Sequence, residues 1–438
     1  MDAVISRVDL PKERHMQDLK VVEICAGAGG QSLGLHRAGF AHELALELDE
    51  SAADTLRHNL TRVQGGEPDV KVGDVADPDL WTPEDYNGID LLAGGVPCPP
   101  FSIAGKQLGS SDERDLFAWA VELAGRMRPR ALMLENVRGL STPRFSGYRQ
   151  AVADRLAELG YWSEWRLLHA SDFGVPQLRP RFVLVAMAEE HARHFVWPEP
   201  DANRVTVGDV LRDLMAEDGW RYADKWAAVA NRVAPTIVGG SKKHGGADLG
   251  PTRAKLAWAE LMVDGKGIAD GPPNGRDPSF RTKLPRLTNG MVARVQGWGK
   301  PGYEWEFLGR KTSVYRQIGN AFPPPVAEAL GTSIADALHQ RSEAVEILGS
   351  HQHDELYVLL RDASSPVSER EIVAHLGGKL SGALDSRLAS LQRDFEIETI
   401  LADGTRSFVL GEFKAFRGQQ GHKRHDHFQN GRLRSTIS

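Results

Sequence analysis

Short apolar runs alternate with amphipathic stretches up to about residue 190. Residues 19–25, L-K-V-V-E-I-C, read as a strand that runs into Ala26-Gly27-Ala28-Gly29-Gly30, and residues 32–40 then carry apolar positions at helical spacing. Runs at 42–48, 70–74, 89–93, 131–134, 162–168 and 182–187 read as further strands, with helices over 112–126 and 148–159. Strands alternating with helices predict an α/β fold around a mainly parallel sheet. Its opening unit of strand, glycine turn and helix is Rossmann-like.

The pattern changes after residue 187. Residues 188–285 hold tryptophans, glycines and prolines with weak periodicity, and read as a smaller, loop-rich module. Residues 286–298 predict a short helix with Thr288 as its N-cap, and 316–326 a turn that opens a helix to about residue 339. Gly319 and Asn320 in that turn suit close approach to a ligand. Three helices at 354–361, 368–376 and 383–393, then two strands within 396–410 around Asp403-Gly404, make an α+β extension that resembles a winged helix-turn-helix. The tail, with His422, His425 and His427, reads as basic and flexible. The expected division is 1–187 with 310–345, then 188–309, 346–411 and 412–438.

Composition narrows the setting. The 438 residues carry a net charge of -6 and only two cysteines, Cys25 and Cys98. Two cysteines exclude a disulfide framework or a multi-cysteine zinc site, so no metal is expected. No apolar run is long enough to span a bilayer and residues 1–20 lack a secretory core, so the expected compartment is the cytoplasm. The acidic total hides a basic strip: Arg281, Lys283, Arg286, Arg294, Lys300, Arg310, Lys311 and Arg316 stand against Glu304 and Glu306 alone. A strip this one-signed is either a solvated surface or a set of phosphate contacts.

Candidate chemistry gathers at strand ends. Cys98 sits between Pro97 and Pro99 just past the 89–93 strand, and Glu135 ends the 131–134 strand on the same sheet edge. A thiol and a carboxyl facing one pocket form a nucleophile-plus-acid arrangement, although most free cysteines are merely small buried hydrophobes. The third glycine of a dinucleotide fingerprint is replaced by Ser32, so NAD or FAD is poorly supported. Glu47, at a strand end, suits ribose hydroxyls, and Asp74 suits an exocyclic amine, which leaves any adenosine-bearing cofactor open. Gln177, Arg179 and Arg181 alternate and should point to one side of an extended segment, as a fork for a phosphate or a carbonyl oxygen.

Taken in order, Pro97-Cys98, Glu135-Asn136-Val137, Gln177-x-Arg179-x-Arg181, Arg294-x-Gln296-Gly297 and Gln317-x-Gly319-Asn320 resemble the motifs of the DNA (cytosine-5) methyltransferase family. The resemblance covers about residues 18–340. It implies a Rossmann-like S-adenosylmethionine-dependent core, S-adenosylhomocysteine as coproduct, and attack of the Cys98 thiolate on C6 of a flipped-out cytosine. Glu135 would bind N3 and Arg179 the O2 oxygen, with Pro97, Asn136, Gln177 and Arg181 beside them. The cofactor would lie against Cys25, Ala26, Gly27, Gly29, Gly30, Glu47, Leu48, Asp74, Val75, Asn320 and Ala321. Cys25 replaces the usual Phe, and Leu48 stands where an aromatic often packs on adenine.

Double-stranded DNA would meet a closing loop carrying Ser102, Gly105 and Lys106. In the recognition part it would meet Thr236, Ile237, Lys242, Lys243, Arg286, Arg294 and Gln296. The resemblance further implies a monomer on DNA and a cognate restriction endonuclease acting on the same sequence. Methylation of RNA cytosine, an exocyclic-amine methylase, and a DNA-binding regulator with a vestigial catalytic body are the competing readings. The amine reading is weakest, because cysteine cannot accept the amine hydrogen bond that chemistry needs.

Overall fold

The computed structural model describes residues 19–97, 114–239, 246–346, 353–377, 384–402 and 404–414. The first part alternates β1 (Leu19–Ile24), α1 (Gly30–Arg37), β2 (Phe40–Glu47), α2 (Glu50–Gln64), β3 (Val70–Val72), β4 (Leu91–Gly94), α3 (Arg114–Met127), β5 (Ala131–Val137), α4 (Ser146–Glu158), β6 (Tyr161–His169) and β7 (Pro180–Ala188). Seven strands form one sheet in the order β3-β2-β1-β4-β5-β7-β6, parallel except for β7, which runs antiparallel to both neighbours. Chain order reverses direction between β1 and β4, and ligands of open α/β sheets bind at the carboxyl ends of strands beside such a switch.

Both faces of the sheet are covered, which explains the unbroken apolar runs in its strands. On one face β-strand side chains such as Ile24, Leu92 and Leu134 pack with Phe117 of α3 and Tyr148 of α4. On the other, Leu91, Met133 and Val185 share a core with α1 and with a helix from much later in the chain, Pro324–Leu338. Gly34 of α1 lets these two helices touch: a Cβ there would come within 2.4 Å of the Ala327 Cβ and 2.5 Å of the Pro324 carbonyl.

The 188–309 stretch is less loop-rich than its weak periodicity suggests. It contains α5 (Glu189–Ala192), α6 (Val207–Ala216), α7 (Ala223–Val229), α8 (Thr252–Glu260) and α9 (Asn289–Val295). Its tryptophans are the core, with Trp226, Trp258 and Trp298 fully buried. Thr288 caps α9 as expected, its hydroxyl accepting from the Met291 N–H. The turn expected at 316–326 is different: Arg316 to Asn320 form the last turns of α10 (Lys311–Asn320), and α11 (Pro324–Leu338) begins only after Pro323. The missing proline N–H groups make that break.

The C-terminal part runs α12 (Glu355–Asp362), β8 (Val367–Ser368), α13 (Glu369–His375), α14 (Leu384–Asp394), β9 (Phe395–Ala402) and β10 (Thr405–Phe413). Its strands pair in the order β8-β10-β9, a winged-helix-like arrangement to which β8 is an unforeseen addition. This unit is docked on α4. Leu391 of α14 lies against Gly147, Phe413 packs on Tyr148 at 5.4 Å between ring centroids, and Arg361 pairs with Asp154 at 2.6 Å.

Candidate active site

The glycine turn after β1 is held by backbone conformations that few residues adopt. Cys25, Gly27 and Gly29 all have positive φ, at 52°, 59° and 95°. Behind the turn lies a cavity of about 450 Å³, lined by Cys25, Ala26, Gly27, Glu47, Leu48, Asp74, Val75, Asn320 and Ala321 from the expected cofactor set. Its size suits a small cofactor.

Glu47 accepts hydrogen bonds from the Gly27 N–H at 2.7 Å and the Asp49 N–H at 2.8 Å, so the carboxylate that faces the cavity also fastens the turn. Burial pushes its pKa up, against the pull of those backbone N–H groups. Asp74 accepts from the Ala76 N–H. Leu48 is 72 % exposed, an open apolar platform at the rim.

Two expected cofactor glycines do something else. Gly29 and Gly30 are absent from the cavity wall. A Cβ on Gly29 would meet Trp305 at 2.3 Å, and one on Gly30 would meet the Phe322 carbonyl at 2.1 Å. Trp305 also donates its indole N–H to the Ala28 carbonyl, so these glycines admit protein, not ligand. Gly319 is a similar correction: a Cβ on it would come within 2.5 Å of the Gly239 backbone, which explains its small size without a ligand.

The chemistry end lies across the cavity. Pro97 and Glu135 both line it, and Gly95 sits beside the Glu135 carboxylate. Asn136 donates from Nδ2 to the Val96 carbonyl at 3.0 Å, anchoring the chain one residue before Pro97. Arg181 Nε meets Glu135 Oε1 at 2.5 Å, and both side chains are largely buried. Burial lowers the Arg181 pKa, and Glu135 opposes that shift.

Arg179 is not where the resemblance put it. Its guanidinium is buried and donates to the carbonyls of Ile237, Gly319 and Ala321. Gln177 is likewise internal, accepting from the Ile237 N–H and donating to Gln296. Gln177 and Arg179 therefore tie the segment around Ile237 to the end of α10, and of the three only Arg181 pairs with Glu135.

Several DNA candidates are also internal. Gln296 is fully buried and donates to the carbonyls of Ile318 and Ala321, and Ile237 is 1 % exposed in the core. Thr236 is half-buried. Three cations of the basic strip meet acids from elsewhere in the chain: Arg286 pairs with Asp264, Arg294 with Asp213 and Lys311 with Asp270. Cys98, Ser102, Gly105, Lys106, Lys242 and Lys243 lie outside the described residues.

Sequence reasoning missed Ser313, Arg316 and Gln317 as cavity-wall residues. Their spacing with Asn320, i, i+3, i+4 and i+7, is the signal that marks one helical face. Trp305 was also missed, and no local pattern distinguishes it from an ordinary core tryptophan.

Comparison with known proteins gives the site its context. The family profile described as C-5 cytosine-specific DNA methylase matches residues 19–336. The chain belongs to the C-5 cytosine-specific DNA methylases. It is a DNA cytosine-5 methyltransferase. The Type II methyltransferase M.NaeI of Lentzea aerocolonigenes is 59% identical over 97% of this chain and 100% of its own length. The Type II methyltransferase M.NgoMIV of Neisseria gonorrhoeae is 49% identical over 73% of this chain and 98% of its own. A crystallised variant of DNMT2 from Spodoptera frugiperda shares the fold, with a TM-score of 0.50 at 17% identity over 73% of this methylase and 100% of that chain. Among the described residues, no helix is long and apolar enough to cross a membrane.

Proposed function

We propose that this methylase modifies one cytosine within a short duplex sequence, as the protective member of a restriction–modification pair in the cytoplasm, acting as a monomer on DNA. The Type II relatives support the pairing with an endonuclease of the same specificity. The observation that carries the chemistry is the pairing at 2.5 Å of Arg181 with Glu135, whose carboxylate lines the cavity beside the strand end that leads through Pro97 to Cys98.

The cavity residues fit S-adenosylmethionine: Glu47 offers a carboxylate for ribose hydroxyls, Asp74 one for the adenine amine, and Leu48 an apolar surface for the ring. When bound, that cofactor supplies an electrophilic methyl group. Cytosine C5 is a weak nucleophile until C6 is attacked, so the Cys98 thiolate adds to C6. Glu135 holds a proton at N3 as negative charge develops in the ring. Arg181, in place of Arg179, donates to O2, and its partial desolvation strengthens that contact. Asn136 fixes the backbone that presents the thiol. After C5 is methylated its proton leaves to a base and the C6–S bond breaks, restoring Cys98. The target must leave the duplex for this, at an unstacking cost of roughly a few kcal/mol.

Incubation with unmethylated duplex DNA and S-adenosylmethionine, followed by single-base mapping of 5-methylcytosine, tests the proposal. Modification confined to one short sequence and absent in Cys98→Ala is expected. Modification that persists in Cys98→Ala overturns the nucleophile, and none on varied DNA overturns the proposed substrate and turns attention to RNA or to a regulatory role.

A further inference from the structure

The cofactor cavity is acidic. Glu23, Glu47, Asp49, Asp74 and Glu135 line it, and Arg316 is the one cation on its wall among the described residues. The carboxylates already have work inside the protein: Glu23 accepts from Ser32 and Gln31, Glu47 from Gly27 and Asp49, and Glu135 faces Arg181. The Arg316 side chain has neither a hydrogen-bond nor an ion-pair partner among the described residues, although it is half-buried on a regular helix. Its guanidinium therefore keeps five donors in a planar fork for solvent or for a ligand in the cavity.

The helix aims it. Ser313, Arg316, Gln317 and Asn320 share one face of α10 and all line the cavity. That face cannot rotate, because Gln317 donates to the Leu308 carbonyl at 3.0 Å and to Ser51 Oγ at 3.0 Å, while accepting from Thr55 Oγ1 at 2.7 Å. Arg316 therefore points along the same wall as Asn320, one turn earlier.

The geometry points to Arg316 as the residue that receives the carboxylate of the cofactor's amino-acid end. This rests on the reading of the cavity as an S-adenosylmethionine site. An acid-lined cavity suits a ligand whose sulfonium and ammonium are positive, and it repels that ligand's single anionic group unless one cation is reserved for it. Arg316 fills that role, and a guanidinium matches a carboxylate in two parallel hydrogen bonds, which a lysine cannot reproduce. Its contribution is to hold and orient the amino-acid end; it touches neither the cytosine nor the methyl group.

Calorimetric binding without DNA separates this role from others. The probes are S-adenosylhomocysteine and decarboxylated S-adenosylhomocysteine, which differ only in the carboxylate. Wild type should prefer the carboxylate-bearing ligand. Arg316→Gln should lose on the order of ten- to hundred-fold in affinity for it, while binding the decarboxylated ligand within about twofold of wild type. Arg316→Lys should fall between. Equal loss for both ligands in Arg316→Gln, with an unchanged unfolding temperature, overturns the inference. So does unchanged binding of both ligands with weakened binding of duplex DNA, which assigns Arg316 to a phosphate. If wild type binds neither ligand, the cavity reading itself fails and the inference falls with it, an outcome distinct from both others.

Discussion

Arg179 and Arg181 stand two positions apart and do opposite things. Arg179 supplies donors to three backbone carbonyls, and its burial pushes its pKa well down from the ordinary value. Arg179→Met should therefore destabilise the fold by on the order of 3 kcal/mol, measured by denaturant unfolding, because buried acceptors lose their donors. Arg181→Gln should also cost some stability, because Glu135 loses its buried partner, but its distinguishing effect should be a fall of about 100-fold or more in single-turnover methylation by the protein that remains folded, as expected for loss of a donor to a charged transition state.

His36 provides a second residue-scale test. Burial lowers its pKa from 6.5 to about 4, and its buried Nδ1 has no hydrogen-bond partner among the described residues. The unfolded chain binds this proton more readily, so the stability contribution is present above pH 6.5 and lost as pH falls towards about 4. His36→Gln should flatten that part of the unfolding-temperature profile; an unchanged slope would count against it.

At the scale of elements, glycines mark where helices and turns touch. Gly34 has no room for a methyl between α1 and α11, so Gly34→Ala should cost roughly 1–3 kcal/mol in thermal or denaturant unfolding. Gly29 combines positive φ with contact against Trp305, a tie between the glycine turn and a segment nearly 280 positions later. The same logic applies to α10: the prolines that follow stop it locally, and contacts to Ser51, Thr55 and Gly239 then fix its last turns against distant segments.

At the scale of the molecule, the C-terminal unit uses its third helix against α4. In the winged-helix analogy that helix reads the major groove, and here Leu391 on it is 4 % exposed and lies against Gly147. The family profile ends at residue 336, and M.NgoMIV aligns over 98% of its length with only 73% of this chain. Removal of residues 346–438 should therefore leave the methylated sequence unchanged while lowering the unfolding temperature, because Tyr148 and Ala151 lose their cover. A changed target sequence on methylation mapping would sink this.

The strands of the sheet, the glycine turn and the order of the motif residues follow from the chain itself, because a sheet covered on both faces demands apolar runs and a sharp strand end demands glycine. Thr288 as a cap and the helices of the C-terminal unit were legible for the same reason: their determinants lie within a few residues. Which arginine meets Glu135, which glycines admit protein instead of ligand, and which cations keep their charge for a partner were decided only in three dimensions. Asp213, Asp264 and Asp270 pair with three cations of the basic strip from positions that no local window includes. The physical reason is range: propensity and periodicity act over a few residues, while burial, pairing and close approach are set by whatever segment the fold brings alongside.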